Sequence, residues 1–274
     1  MLPRPALFLA ATLLPMFAAE PNPRPESKPK LGSTVFAWEQ LERRVTPNGE
    51  RRDVANNPTA TLGVFECHIT TLNPGRESHA PHRHPQEELI LVQEGTLEVH
   101  INGHTQVAGP GSTLFYASND LHAVKNIGSG RATYWVVNLT TAATHNAAAQ
   151  NTAPTLHSAV YDYAKLAVKP SKVGEGRAVL NGSTVTLKNL ETHITTVNVG
   201  EAPHAAHRHP DEELVLVREG TLEVAINGQV QRAGPGSVCL FSSNDLHGLR
   251  NAGDTRVSYH VIRVVTEATP AKKE

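Results

Sequence analysis

Cysteine, tryptophan and methionine are scarce, with two of each in 274 residues. Cys67 and Cys239 stand too far apart to make a disulfide framework, so the expected reading is two small buried thiols. No long basic run appears, nor a basic patch interleaved with aromatics, and the formal net charge is only −1. No global field therefore draws the chain to nucleic acid. Long apolar runs are also missing, with one exception at the start. There Arg4 precedes an apolar stretch from Ala6 to Ala19 that ends in small residues. This segment is too short to cross a bilayer as a stable helix. It has the make-up of an export signal over residues 1–20, although bulky Phe17 makes an imperfect cleavage site. No cysteine lies beside the cut, which argues against lipoprotein processing. The expected location is periplasmic or secreted, with no membrane span left after processing.

Histidine is the residue in excess, with 15 copies, and its placement repeats. His82, His84, Glu88 and His122 recur at an offset of 125 positions as His207, His209, Glu213 and His247. The alignment needs no gaps: 21 of the 29 residues from Gly75 to Gly103 are identical in Gly200 to Gly228. A period this long means duplicated domains rather than a solenoid of short repeats. The expected organisation is a proline- and lysine-rich disordered tether at 21–32 and a first unit at 33–141. An Ala/Thr/Asn linker at 142–157 leads to a second unit at 158–266 and a charged tail at 267–274.

Within each unit the texture is short strands. Leu89 to Val92, Thr96 to Ile101, Gly111 to Tyr116 and Ala132 to Val137 carry strand composition. Turn signals separate them, and Asn102-Gly103, with its twin Asn227-Gly228, is the strongest hairpin cue. No stretch carries a helical period. Each unit is therefore expected to be an all-β antiparallel sandwich or barrel.

His82, His84 and Glu88 share one parity, so an extended segment would point all three into one cavity, although Pro85 interrupts the ladder. Glu87 has the opposite parity and should point outward; the Glu-Glu pairs at 87/88 and 212/213 are not a dyad. His122 arrives from a later strand. Three imidazoles and a carboxylate suit a divalent first-row metal and leave two octahedral positions open for water, substrate or dioxygen. Structural zinc prefers closed tetrahedra. Up to two metals per chain are expected, with Mn(II) or Fe(II) favoured; donors of this kind also take Zn, Ni or Cu.

These residues carry a family resemblance. Gly75, His82, His84, Glu88 and Gly95 resemble the first cupin motif, with one extra residue before the first histidine. Gly111, His122 and Asn126 resemble the second. The second unit matches through Gly200, His207, His209, Glu213, Gly220, Gly236, His247 and Asn251. Ala117 and Asn119, like Ser242 and Asn244, depart from the Pro and Gly usual there. The resemblance implies a bicupin, two tandem jelly-roll barrels that hide sheet edges by doubling the sheet.

Around the metal set, His79 and His204 stand three positions before the first ligand and are candidate proton shuttles. Glu66 and His68, with twins Glu191 and His193, either line the cavity and supply a base or sit on the solvated face. Arg52 and Arg177 are candidates to clamp a substrate carboxylate, with a structural ion pair as the competing role. Tyr134 and Tyr259 read as core strand residues. The expected function is an exported metalloenzyme of dioxygenase- or oxalate-decarboxylase-like chemistry on a small oxygen-rich substrate. The alternatives are a metal-dependent small-ligand-binding protein without turnover, or a non-redox aminohydrolase or isomerase. The barrels are expected to pair as a homodimer or to imitate one within the chain.

Overall fold

The computed structural model describes residues 28–272. The expected export signal at 1–20 lies outside the described residues, as does most of the tether. The first repeat supplies β1 (Thr34–Phe36), β2 (Arg44–Thr46), β3 (Gly49–Asn57), β4 (Val64–Leu72), β5 (Glu87–Glu94), β6 (Leu97–Ile101), β7 (His104–Ala108), β8 (Thr113–Tyr116), β9 (His122–Asn126) and β10 (Ala132–Thr140). The second supplies β11 (Ala159–Tyr161), β12 (Lys169–Ser171), β13 (Gly174–Gly182), β14 (Asn189–Val197), β15 (Glu212–Glu219), β16 (Leu222–Ile226), β17 (Gln229–Ala233), β18 (Val238–Phe241), β19 (His247–Asn251) and β20 (Val257–Val265). Among the described residues the only helical pieces are three single 3₁₀ turns.

Each barrel is a seven-stranded sheet facing a three-stranded one. The first is ordered β11-β8-β5-β10-β4-β3-β2 against β7-β6-β9, and the second β1-β18-β15-β20-β14-β13-β12 against β17-β16-β19. The apolar run in β5 now has a physical explanation, because both its faces are covered. Ile90 and Val92 fill the first barrel, while Leu89 and Leu91 face the other way into a core shared by both repeats. In β15, Val215 and Val217 fill the second barrel and Leu214 and Leu216 join the shared core. The two large sheets thus pack on one another, and Trp135 Nε1 donates across the join to the Gly236 carbonyl at 3.2 Å.

Two sequence expectations need correction. The unit boundaries at 33 and 158 assign β1 and β11 to their own repeats, yet each strand completes the other barrel. β1 pairs with β18 and buries Val35 in the second barrel's interior, while β11 pairs with β8 of the first. Glu87 does point away from the cavity but is not outward-facing in the sense of being solvated. It is buried between barrels and accepts from the Thr186 backbone N–H at 2.9 Å. Its twin Glu212 accepts from both hydroxyls of Thr59 and Thr61, at 2.5 and 2.6 Å. The linker is also anchored, since Leu156 enters the shared core and Asn151 donates to the Val185 carbonyl at 2.9 Å.

Turn residues behave as their chemistry requires. Asn102 and Gly103 both have positive φ, 48° and 85°, as a type I′ hairpin demands. Asn119 and Asn244, the departures from the usual glycine, also stand at positive φ, 64° and 63°. Asparagine tolerates this left-handed conformation, so the turn survives the change.

Candidate metal centre

In each barrel the ligand histidines come from two segments held together by backbone. His82 and His122 exchange N–H···O bonds of 3.1 and 3.0 Å, and His207 and His247 exchange bonds of 2.9 and 3.0 Å. Glu88 and Glu213 belong to the regular strands β5 and β15, whereas His82 and His84 precede β5 in irregular chain, where Pro85 interrupts the ladder, so strand parity does not place them. The donor atoms of His82, His84 and His122 lie within 4.8 Å of one another, and those of His207, His209 and His247 do the same. Glu88 Oε2 stands 3.2 Å from His84 Nε2, and its Oε1 3.8 Å from His122 Nε2. Glu213 Oε2 is 3.3 Å from His209 Nε2.

The hydrogen bonds behind the rings favour a metal. A carbonyl only accepts, so the ring nitrogen facing it carries the hydrogen. His122 Nδ1 faces the Asp120 carbonyl at 2.8 Å and His247 Nδ1 faces that of Asp245 at 3.0 Å. His84 and His209 face the carbonyls of Gln86 and Asp211 at 3.2 and 2.9 Å. The Nε2 lone pairs are thereby left to converge, and those of His122 and His247 are buried with no hydrogen-bond partner in the protein. This is how proteins orient imidazoles toward a cation. Burial, the leading cause, depresses the pKa values of His82, His122, His207 and His247 and so favours their neutral, ligating form. Burial also opposes charge on His209, but hydrogen bonds to Asp211 and Glu213 outweigh it and push the pKa up to about 9.

The exchanged strands brace these turns. Ser158 Oγ donates to Asp120 at 2.5 Å and accepts from the Ala117 N–H at 2.8 Å. Ser33 does the same for Asp245 and Ser242, at 2.6 and 2.8 Å. Each ligand-bearing turn is therefore held by a serine from the other repeat. The motif asparagines serve the fold rather than the cation. Asn126 donates to the carbonyls of Leu72 and Gly130, and Asn251 to those of Val197 and Thr255.

The first site lies on a cavity of about 320 Å³. His68 lines it and bonds Glu66 at 2.7 Å, and Glu66 is fixed in turn by Asn138 at 2.7 Å. Burial raises the Glu66 pKa, but His68 and Asn138 outweigh it and the net shift is downward. His193 and Glu191 keep the same pairing at 3.2 Å. His79 packs edge-on against His82, with ring centroids 4.1 Å apart, and His204 against His207 at 4.4 Å. Tyr134 and Tyr259 are buried strand residues, and Tyr134 also faces the cavity.

The arginine candidates point elsewhere. Arg52 stacks on Trp38 at 4.2 Å and donates to the Leu41 carbonyl. Arg177 stacks on Tyr163 at 4.6 Å and bonds Glu175 at 2.6 Å. Both grip the segments that cross between barrels, so neither clamps a substrate. One residue earlier, Arg51 lines the first cavity. Adjacent strand residues face opposite ways, and Arg51 goes unmarked in the sequence because the second repeat has Gly176 there, whereas Arg52 recurs as Arg177.

The cupin domain family matches residues 68–138 and 193–263. The chain belongs to that family. Each matched stretch holds one complete histidine cluster, so this is a tandem cupin with a candidate centre in each barrel. The bicupin superposes on Ylba from E. coli with a TM-score of 0.67 at 12% identity, covering 88% of this chain and 93% of that one. The oxalate decarboxylase of Lactobacillus farciminis, in a formate complex, gives 0.65 at 13% identity and 88% coverage of both chains. The oxalate decarboxylase of Bacillus subtilis, which has Mn(II) centres, gives 0.63 at 14% identity, covering 89% of this chain and 80% of that one. At these identities the likeness shows the fold. Comparison with curated protein sequences finds no match.

Proposed function

We propose that this bicupin is an exported metalloenzyme acting on a small oxygen-rich substrate. The observation that carries the reading is the convergence of buried, lone-pair-bearing imidazole nitrogens and Glu88 on the wall of a cavity of about 320 Å³, large enough for a small molecule. Four protein donors leave part of an octahedral shell free for substrate. The same donors stand in the second barrel.

A divalent ion held there, Mn(II) or Fe(II), supplies Lewis acidity and one-electron redox capacity. The chain's own residues do the rest. His68, oriented by Glu66, is placed to accept or return a proton at its ring nitrogen facing the cavity. His79 sits at the more exposed edge of the ligand set, where it can pass protons to solvent. Apolar walls from Ile90, Val124 and Val136 limit water around the reacting atoms. Oxalate-decarboxylase-like and dioxygenase chemistry both fit this arrangement. The oxalate decarboxylases among the structural neighbours support the first, and reading residues 1–20 as an export signal supports a reaction outside the cytoplasm.

Turnover assays on Mn- and Fe-loaded protein, following oxygen uptake and carbon dioxide release over small carboxylates and phenolics, test the reading. Activity that falls at least a hundredfold in His84→Ala or His209→Ala supports it. Binding of a carboxylate without turnover in any assay would instead make this a ligand-binding cupin.

A further inference from the structure

The two centres share their donors but differ in what surrounds them. Tyr116 and Phe241 hold equivalent places in β8 and β18, and each lies directly across from the ligand glutamate, Glu88 or Glu213. Tyr116 stacks on His122 with ring centroids 4.3 Å apart and 15° between planes; Phe241 stacks on His247 at 4.4 Å and 11°. Phe241 shows that this ring position needs no hydroxyl. Tyr116 carries one nonetheless, on the wall of the first cavity, fully buried and with no hydrogen-bond partner in the protein. An unpaired buried hydroxyl is destabilising, and where one is kept beside a cavity its natural partner is a ligand.

Other differences run the same way. Ser78 and Arg51, both on the first cavity, are replaced by Pro203 and Gly176 in the second repeat. Arg51 is held by Asp53 at 2.7 Å and Glu66 at 3.2 Å and adds positive charge at that wall. Asn138, also on the cavity, becomes Arg263, which donates to both Asp211 oxygens at 2.7 and 3.1 Å and reaches Glu191 at 3.5 Å. An arginine tied into carboxylates thus stands in the second barrel where the first has the neutral amide of Asn138 on its cavity. A phenol hydroxyl that meets no acceptor in the protein has its hydrogen free for an acceptor oxygen in the cavity.

We propose that the Tyr116 hydroxyl anchors one oxygen of a small carboxylate whose other oxygen faces the metal donors of the first barrel, and that the second barrel, with Phe241, takes no such ligand. The inference rests on the metal reading above. It makes the two centres unequal: the first is the substrate site, and the second keeps its cation without this ligand.

The test uses the full chain loaded with Co(II), with metal content measured first and acetate then titrated against the cobalt d–d absorption. Tyr116→Phe copies a residue the second barrel already carries, so its fold should be retained. The expected result is acetate binding at one centre, lost in His84→Ala, kept in His209→Ala, and weakened at least tenfold by Tyr116→Phe with cobalt content unchanged. Cobalt-loaded protein whose Tyr116→Phe variant binds acetate within twofold of the parent, or whose response survives His84→Ala, overturns the inference and leaves the metal reading intact. A chain that loads no cobalt at either centre overturns both.

Discussion

Both ring nitrogens of His260 are buried without a hydrogen-bond partner, on the inter-barrel side of β20 where the first repeat carries Trp135. Burial, helped by the nearby Arg218 charge, lowers its pKa to about 3. The folded chain therefore keeps this ring neutral, while the unfolded chain protonates it below its ordinary value of about 6.5. The stability from keeping it neutral is complete above about pH 6.5 and falls by about 1.4 kcal/mol per pH unit on acidification, until the folded value is reached. Urea unfolding at pH 7 and pH 5 checks this: His260→Phe should lose about 2 kcal/mol less than the parent over that interval. Equal losses would contradict it. Residue-scale legibility was uneven. The six histidines that cluster were readable because both copies kept them at one offset, whereas Arg51 on the cavity has no counterpart in the second repeat to mark it. The change from Tyr116 to Phe241 was visible in the aligned repeats, but nothing in the linear order said that this side chain reaches the cavity.

The exchanged strands belong to the scale of elements. β1 leads into the turn Trp38–Gln40, where the Trp38 backbone N–H donates to Ser237 Oγ at 3.0 Å and its ring lies against Gly236. A Cβ at Gly236, which also has φ of 91°, would meet Trp38 ring carbon at 2.7 Å. The glycine that resembled a family motif residue is thus needed to seat an aromatic arriving from the other repeat. Arg52 stacks on the same ring, 4.2 Å from its centroid. Trp38→Ala should remove this plug and the arginine stacking together, costing about 3 kcal/mol, the usual scale for truncating a large packed aromatic. Denaturant unfolding reads the loss, and a change under about 0.5 kcal/mol would show that the crossing segment does not hold the barrels together. The short strands themselves were legible from alternation and turn residues. Their partners were not, because period and composition describe a strand's faces and leave open which edge it joins.

At the scale of the whole molecule, the duplication builds an internal pair. β1 and β11 cross reciprocally, Glu87 and Glu212 each bond a loop of the other barrel, and the two large sheets share one core. Fold class was readable from the short strands and turn signals and repeat number from the 125-residue offset, but the join was hidden, since its residues sit on the second face of strands whose first face fills a barrel. The pairing brings a serine from each repeat to the ligand turn of the other, so the two centres depend on the chain folding as one unit. The central claim is that each barrel seats its own divalent cation. Elemental analysis of the purified full chain after loading with Mn(II), beside His84→Ala, His209→Ala and the double variant, tests it most directly. The expected result is two ions per chain, one for each histidine cluster, falling to one in either single variant and to none in the double. Folded parent protein that holds no metal, or single variants that keep the parent's full content, would contradict it.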